Sequence, residues 1–242
     1  MRIGRIHYLN VLPFYHALDE ARWGPWVDES PRRLGILARE GQLDCAPLPI
    51  IDTFDLEDDF EPLGNWGIAC RGAVGSVLLF SSRPFRDLSG ARLLFTGESA
   101  TSVVLARLLL DDAGVRDVRI EQGDDPQGYD GYLAIGDRAL TMVQNPPFTV
   151  RTDLCEEWYR RMRLPFVFER WVVRRTITAD MRTAFEQALA ESIARPLPAS
   201  LPNQAGLSDA AARDYLDNMI YRLDADCMAA VDRFRSRVHV LA

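Results

Sequence analysis

The sequence predicts an α/β fold in which strands and helices alternate along the chain. The clearest alternation is a short apolar run at residues 93–95, bounded by Gly97, and a longer apolar run at residues 103–110 that Ala113-Gly114 closes. The first run is typical of a buried strand and the second of a helix. Hydrophobic residues make up 48% of the 242 residues, which is enough for a sizeable core. The alternation predicts a parallel sheet covered on both faces, with ligands at the carboxyl ends of its strands.

The chain begins with a predicted strand at residues 2–6 and a predicted helix at residues 11–18. Pro13 fits the first turn of that helix, because the N–H that proline lacks has no helical partner there. Asn10 stands at the junction, either as the helix N-cap or as a side chain facing a ligand. A second helix is predicted at residues 30–41, since Ser-Pro opens it and a glycine ends it.

The next segment combines a strand with an acidic stretch. Residues 43–46 form a predicted strand that Pro47 and Pro49 end. Six carboxylates lie between residues 52 and 61, in a run without histidine. This run predicts a solvated face rather than a metal site.

Residues 68–81 are rich in strand formers and interrupted by glycines. Ser76 precedes a buried-looking run within this segment. It lacks a surrounding G-x-S-x-G pattern, and the three histidines of the chain offer no obvious triad partner, so serine hydrolase chemistry is not expected. Residues 84–90 form a link to the second α/β unit.

The second unit adds predicted strands at residues 118–120 and 132–137 to the alternation described first. Gly136 and Asp137 stand at the carboxyl end of the latter strand. Asp137 is either a helix cap or a carboxylate facing a ligand, and the sequence leaves both open. A short helix follows at residues 153–161.

Residues 164–173 form a long predicted strand that could cross between two domains. The remainder is predicted to be helical at residues 180–195, 208–221 and 224–238, with a proline-rich break at residues 196–202.

The loop between the strand at 93–95 and the helix at 103–110 is a candidate anion site. Ser99, Thr101 and Ser102 place three hydroxyls beside the free N–H groups of a helix start, where partial positive charge favours a carboxylate or phosphate. A single hydroxyl that only caps the helix is the structural alternative. Three hydroxyls behind a glycine favour the anion site.

The composition excludes several classes of protein. All 28 basic residues are arginine, so Schiff-base chemistry, a pyridoxal aldimine and a P-loop lysine are excluded because each needs a primary side-chain amine. The net charge of −7, without a basic cluster longer than two residues, predicts neither a nucleic-acid partner nor an anionic membrane partner.

The four cysteines, Cys45, Cys70, Cys155 and Cys227, lack C-x-x-C spacing. They predict neither a zinc site nor a disulfide framework, and we expect them to be small core residues, with no metal and no organic cofactor. No apolar run reaches membrane-spanning length and no charged leader precedes an apolar region, so a cytoplasmic protein is expected.

Several sequence blocks stand in a fixed order between residue 1 and about residue 175. They are Ile6-His7-Tyr8-Leu9-Asn10 with Pro13, Asp44-Cys45-Ala46-Pro47, the run from Gly72 to Ser81, Glu98-Ser99-Ala100-Thr101-Ser102-Val103, the run from Leu133 to Leu140, and Leu164-Pro165-Phe166-Val167-Phe168 with Trp171. Together these blocks resemble the menaquinone-biosynthesis family of the futalosine pathway, and within it the chorismate dehydratase branch. Leu48-Pro49 departs from the small hydroxyl residues that often follow the Ala-Pro pair.

The resemblance implies a two-lobed type II periplasmic-binding-protein-like fold with a ligand cleft between the lobes. It places residues 1–84 and 172–242 in lobe one and residues 85–171 in lobe two. The implied reaction is that of a lyase, which removes water from chorismate to give 3-[(1-carboxyvinyl)oxy]benzoate without a cofactor.

The resemblance also implies roles for individual residues. Asn10 and Ser76 are the expected catalytic donors that orient the reacting groups, while the enolpyruvyl carboxylate of the substrate takes the proton. The residues expected to bind the substrate are Tyr8, Ser99, Ala100, Thr101, Ser102, Gly136 and Asp137.

Alternatives remain at the level of the base and of the reaction. His7 is the conventional alternative base, because histidine titrates near neutral pH without special help. The sister branch of the family makes 1,4-dihydroxy-6-naphthoate, and a non-catalytic protein that binds a small anion would share the fold. The blocks at residues 75–81 and 136–140 look more like the dehydratase branch.

Overall fold

The computed structural model describes residues 1–202 and 205–241. The strands in these ranges, numbered in chain order, are β1 (Ile3–Arg5), β2 (Trp26–Asp28), β3 (Cys45–Pro49), β4 (Phe60–Cys70), β5 (Val77–Ser81), β6 (Arg92–Phe95), β7 (Arg119–Gln122), β8 (Gly131–Ile135), β9 (Val150–Asp153), β10 (Phe166–Arg174) and β11 (Met219–Arg222). The helices are α1 (Leu12–Tyr15), α2 (Glu20–Trp23), α3 (Pro31–Arg39), α4 (Ile50–Thr53), α5 (Thr101–Asp112), α6 (Gly136–Gln144), α7 (Leu154–Met162), α8 (Ala179–Ala194), α9 (Asp209–Asp217) and α10 (Ala225–Leu241).

The strands of the described residues form two separate sheets. The large sheet has the order β11-β4-β10-β3-β1-β2, and the small sheet has the order β7-β6-β8-β5-β9. Each sheet is the centre of one lobe: lobe one is built on the large sheet and lobe two on the small sheet. The α/β fold class with two lobes is therefore confirmed.

The prediction of purely parallel sheets is wrong in part, because both sheets are mixed. β1 pairs in parallel with β2 and β3, and β6 pairs in parallel with β7 and β8. By contrast, β10 runs antiparallel to β3 and β4, and β5 runs antiparallel to β8 and β9. The chain enters lobe two through β5 and returns to lobe one through β10. Neither strand follows a β-α-β crossover within its own sheet, so neither has to run parallel to its neighbours.

The chain changes lobes at residues 71–76 and again after α7. The predicted lobe limits assign Val77–Ser81 to lobe one, but this strand lies in the small sheet of lobe two. They assign most of Phe166–Arg174 to lobe two, but that strand lies in the large sheet of lobe one. We propose lobe limits near residue 76 and near residue 165 instead. The lobe-one range of the prediction also includes residues 203, 204 and 242, which lie outside the described residues.

Prolines do not end β3, contrary to the prediction. Pro47 and Pro49 lie within the strand, opposite Trp171 and Glu169 of β10. The N–H of Cys45, which points to the same side as the two proline nitrogens, donates to the carbonyl of Arg2. The pairing with β1 stops at Cys45, so neither proline nitrogen faces a strand that needs a donor.

Most helix boundaries follow local capping, as the sequence predicts. The Ser30 hydroxyl accepts the N–H of Arg33, the Ser208 hydroxyl accepts the N–H of Ala211, and the Asp224 carboxylate accepts the N–H of Cys227. The predicted helix at residues 208–221 is too long, however. It ends at Asp217, and the next residues form β11 on the edge of the large sheet, because pairing with β4 outweighs a continued helical pattern.

The acidic stretch at residues 52–61 is only partly a solvated face. Asp52 is buried in α4, and its carboxylate lies 2.6 Å from the Arg39 guanidinium. Glu61 belongs to β4 and pairs with Arg175 and Arg182. Asp55, like the middle of the stretch, is exposed to solvent.

The core contains the thiols and aromatic rings expected there. All four cysteines are buried and free, which confirms the prediction that they are core residues. Phe166 of β10 packs edge to face against Trp158 of α7 at 5.2 Å and against Phe234 of α10 at 5.2 Å between ring centroids. These rings join the returning strand to helices on either side of the lobe boundary. Across the described ranges, the helices are too short or too polar to cross a lipid bilayer.

Asp153 ties the start of α7 to the first crossover. One carboxylate oxygen accepts the N–H groups of Cys155 and Glu156, and the other accepts the N–H of Gly75 at 2.7 Å. We expect Asp153→Ala to lower the free energy of unfolding by about 2–3 kcal/mol, since it removes an N-cap and leaves a further donor without its acceptor. Urea denaturation measures this loss.

The control is Asp224→Ala, which removes an exposed cap at the start of α10 and is expected to cost about 1 kcal/mol. Equal losses in the two variants would contradict a tethering role for Asp153.

Candidate functional site

A narrow cleft lies between the two lobes at the ends of their strands. Lobe one supplies Tyr8, Asn10 and Glu169, and the crossover supplies Ser76. Lobe two supplies Gly136 and the hydroxyl residues that precede and begin α5. The cleft holds a volume of only about 30 Å³, so the two lobes are close together in this structure.

Tyr8 bridges the cleft. Its hydroxyl donates to the Glu98 carboxylate of lobe two at 2.7 Å, and burial together with this carboxylate raises the pKa of the phenol well above its usual value. Its ring lies flat against Gly136, where an added Cβ atom would approach the ring to 2.8 Å. Gly136 also has a φ of +56°, a left-handed conformation that favours glycine. The conformation and the close approach both require glycine at this position.

Asn10 lies inside the 3₁₀ turn Leu9–Val11, so it is not the N-cap of the following helix. The N-cap of the 3₁₀ turn is Tyr8 and that of α1 is Val11, and neither side chain makes a capping bond. The Oδ1 atom of Asn10 is buried without a hydrogen-bond partner and the residue lines the cleft. A buried acceptor without a partner is unfavourable, and a ligand with a donor group would satisfy it.

Ser76 is buried on the cleft wall and is oriented by a residue that the sequence did not identify. The Tyr215 hydroxyl of α9 donates to Ser76 Oγ at 2.8 Å. Since Ser76 Oγ accepts this bond, its own proton remains available to a ligand. Burial raises the pKa of Tyr215, which keeps the phenol in its donor form. Tyr215 lies in the helical tail, where nothing in the sequence links it to Ser76.

The hydroxyls before α5 have divided tasks. Ser99 Oγ accepts the N–H of Ser102 at 3.0 Å, so Ser99 does cap the helix start. Thr101 Oγ1 donates across the lobe boundary to the carbonyl of Phe168 at 3.2 Å. Ser102 is buried and lines the cleft, whereas Ala100 precedes the helix outside the lining. Of the three hydroxyls expected to face an anion, that of Ser99 caps the helix and that of Thr101 contacts lobe one. The Ser102 hydroxyl is the one of the three without such an engagement among the described residues.

Asp137 lies outside the cleft lining. Its carboxylate accepts the N–H of Leu9 at 2.9 Å, so it joins the two lobes behind Tyr8. Burial raises the pKa of Asp137, and the Leu9 N–H and the nearby His7 oppose that rise. His7 is exposed and lines the same outer depression as Asp137 rather than the cleft.

Glu169 is the second cleft residue that the sequence analysis missed. It lies in β10 with a side chain 6% exposed, and burial raises its pKa to about 8. The signal was present in the sequence: a charged pair, Glu169-Arg170, interrupts an otherwise apolar strand. A buried charged residue without an obvious partner is a feature of functional sites.

In the part of the chain that the structure describes, no three His, Cys, Asp or Glu side chains come close enough to hold a metal ion.

Known structures share this fold. A protein of Archaeoglobus fulgidus, AF1704, matches with a TM-score of 0.78 at 17% identity, over 99% of this chain and 97% of the other. The periplasmic aliphatic sulphonate binding protein SsuA of Escherichia coli matches with a TM-score of 0.60 at 15% identity, over 100% of this chain and 87% of the other. The fold is that of the periplasmic binding proteins.

Sequence comparison gives the family. The model of the family described as "Menaquinone biosynthesis" matches residues 1–239. A chorismate dehydratase of Thermus thermophilus is 30% identical, over 92% of this chain and 89% of the relative. The chain belongs to this menaquinone biosynthesis family, which confirms the resemblance found in the sequence.

Substitution of Gly136 tests the contact with Tyr8. In Gly136→Ala we expect a loss of about 2–4 kcal/mol in the free energy of unfolding, because the left-handed backbone and the displaced Tyr8 ring both add to the cost. Chemical denaturation measures the loss.

Gly114→Ala is the matched control, because Gly114 has a φ of +75° but open space around an added Cβ atom. Gly114→Ala should therefore lower the free energy of unfolding by the cost of the left-handed backbone alone, about 1–2 kcal/mol. A Gly136→Ala variant no less stable than Gly114→Ala would contradict the close approach of Tyr8.

Proposed function

We propose that this protein is a chorismate dehydratase, a lyase that converts chorismate to 3-[(1-carboxyvinyl)oxy]benzoate in menaquinone biosynthesis. The observation that carries the proposal is the similarity to the Thermus thermophilus chorismate dehydratase over 92% of the chain. The cleft supports it, because the groups available to a ligand there are hydroxyls, an amide and a carboxyl group rather than an exposed imidazole.

The proposed reaction needs little acid or base strength from the protein. The C3 proton leaves to the enolpyruvyl carboxylate of the substrate, and the C3–H electron pair forms the C3=C4 bond. The C4–O bond breaks with its electron pair on oxygen, which takes that proton from the newly formed enolpyruvyl carboxylic acid and leaves as water. The ring becomes aromatic, which supplies the driving force, so the protein has mainly to orient the substrate and exclude water.

Asn10 and Ser76 are the proposed orienting residues. The unpartnered Asn10 Oδ1 can accept a hydrogen bond from the C4 hydroxyl, so Asn10 acts in this proposal as an acceptor rather than a donor. The hydroxyl proton of Ser76 can be donated to the carboxylate of the enolpyruvyl arm. Tyr215 holds Ser76 in place. Ser102 and the N–H groups at the start of α5 are the proposed site for the other carboxylate.

The lobes must separate to admit the substrate. A volume of about 30 Å³ is far below the several hundred cubic ångströms of a typical small-molecule site. The contacts that then have to break are those between lobes, chiefly Tyr8 with Glu98 and Asp137 with Leu9. Closure behind the substrate would exclude water from the reaction.

Incubation of the purified protein with chorismate tests the proposal. We expect an aromatic product that has lost one water molecule, followed by ultraviolet absorbance and mass spectrometry. Chorismate that binds but is recovered unchanged would instead indicate a binding protein. Chorismate that neither binds nor reacts would point to the naphthoate-forming branch and refute the proposal.

Single substitutions test the assigned roles. We expect Ser76→Ala to lower kcat about ten- to a hundredfold, since a hydrogen bond to a charged group contributes roughly 1.5–3 kcal/mol. Asn10→Ala loses a hydrogen bond to a neutral hydroxyl and should lower kcat about two- to tenfold. His7→Gln should keep most of the turnover, because His7 is exposed outside the cleft. Steady-state kinetics, with circular dichroism as the folding control, gives the comparison. Collapse of turnover in His7→Gln alone would favour the histidine as the base.

A further inference from the structure

Glu169 is held rigidly at the wall of the cleft. It lies in β10, between Pro49 of β3 and Ile68 of β4, in the interior of the large sheet. Its side chain is 6% exposed and lines the cleft, and its Oε2 atom is buried without a hydrogen-bond partner. A strand with neighbours on both sides cannot move this group to solvent without breaking the sheet, so the carboxyl group stays where a ligand would meet it.

Glu169 has no cationic partner among the described residues. Among the ion pairs of residues 1–202 and 205–241, none includes it, and Arg170 points to the opposite face of β10. The ionisable groups whose fields reach Glu169 are the phenols of Tyr8, Tyr15 and Tyr215, on the segments packed against it. Burial raises the pKa of all three phenols, so they are uncharged throughout the working pH range.

An ionised carboxylate in this position is therefore costly. Water is excluded and no cation of the described residues compensates the charge, so burial raises the pKa of Glu169 to about 8 and the group is mostly protonated at pH 7. The protonated form carries an O–H donor, and the unliganded cleft gives its Oε2 atom no partner. Ligand binding can supply the missing acceptor.

We propose that Glu169 contacts the bound ligand as a neutral carboxylic acid, donating a hydrogen bond to an anionic oxygen of a dicarboxylate in the cleft. The proposal deepens the proposed function and rests on it only for the identity of that dicarboxylate as chorismate. Ionised Glu169 would place a third negative charge beside a dianion in a water-poor cleft, and that repulsion would expel the ligand. Glu169 thus makes ligand binding dependent on its own protonation.

The direction of the pH dependence follows from this. Only the protonated fraction binds, so the apparent Kd for a dianion rises by about tenfold per pH unit once the pH exceeds the pKa of Glu169, about 8. From about one unit below the pKa the affinity is nearly constant, because the protonated fraction is then close to one.

Isothermal titration calorimetry with two probes tests the proposal. The probes are chorismate and isophthalate, an aromatic dicarboxylate with no hydroxyl to lose, titrated from about pH 6.5 to about pH 9.5. Wild-type protein should show the tenfold weakening per unit at the alkaline end. Glu169→Gln keeps a donor that does not titrate, so its affinity should stay within a few-fold of the wild type at pH 7 and remain flat with pH.

Asp52→Asn is the matched control, because Asp52 is a second buried carboxyl group that lies outside the cleft and pairs with Arg39. It should keep the pH dependence of the wild type. A wild-type affinity that is flat or rises with pH would overturn the proposal, and so would failure of both probes to bind at any pH. If Glu169→Gln does not fold, infrared spectroscopy of the wild type decides: a protonated carboxyl stretch should be present and should shift when isophthalate binds, and its absence would overturn the proposal.

The two proposals can fail separately. If chorismate is not dehydrated while isophthalate binding still weakens with pH in the wild type but not in Glu169→Gln, the proposed function is wrong and the role of Glu169 stands. If chorismate is dehydrated but the binding of both probes is independent of pH, the proposed function stands and the role proposed for Glu169 is wrong.

Discussion

The contact of Tyr8 with Gly136 and Glu98 is the interaction on which the cleft depends. It brings a side chain from lobe one over a glycine of lobe two and fixes it there with a 2.7 Å hydrogen bond. A side chain at residue 136 would hold the lobes apart, and a phenol that ionised would lose its donor. Packing and hydrogen bonding thus set the distance between the two lobes, and that distance decides which groups face each other in the cleft.

Once the lobes meet, the cleft is a water-poor space with few ionised groups. Two hydroxyls are arranged by partners that lie behind them: Tyr215 behind Ser76, and Ser102 behind Ser99. Such groups cannot move protons efficiently at neutral pH, but they can hold a reactive molecule in one geometry. This arrangement suits a reaction that is driven by aromatisation, in which the substrate provides its own base.

The sequence predicts the structure correctly where that structure is decided locally. The caps at Ser30 and Ser208 and the glycine that ends α5, Gly114, depend on a few neighbouring residues, and these helix starts and this helix end lie where the sequence placed them. The prediction fails where a residue depends on a distant partner. The prolines of β3 are tolerated only because β1 ends beside them, and Asp52 is buried only because Arg39 reaches it. Ser76 and Glu98 gain their roles from Tyr215 and Tyr8, which no spacing rule connects to them.

A crystal structure of the protein with 3-[(1-carboxyvinyl)oxy]benzoate bound would test the central claim most directly, namely that the ligand site is the cleft between the two sheets. The account predicts the aromatic ring between the lobes, with Asn10, Ser76 and the start of α5 in contact with its polar groups and Glu169 within hydrogen-bond distance of a carboxylate. A ligand bound elsewhere, for instance in the outer depression beside His7, with the cleft unchanged, would contradict it.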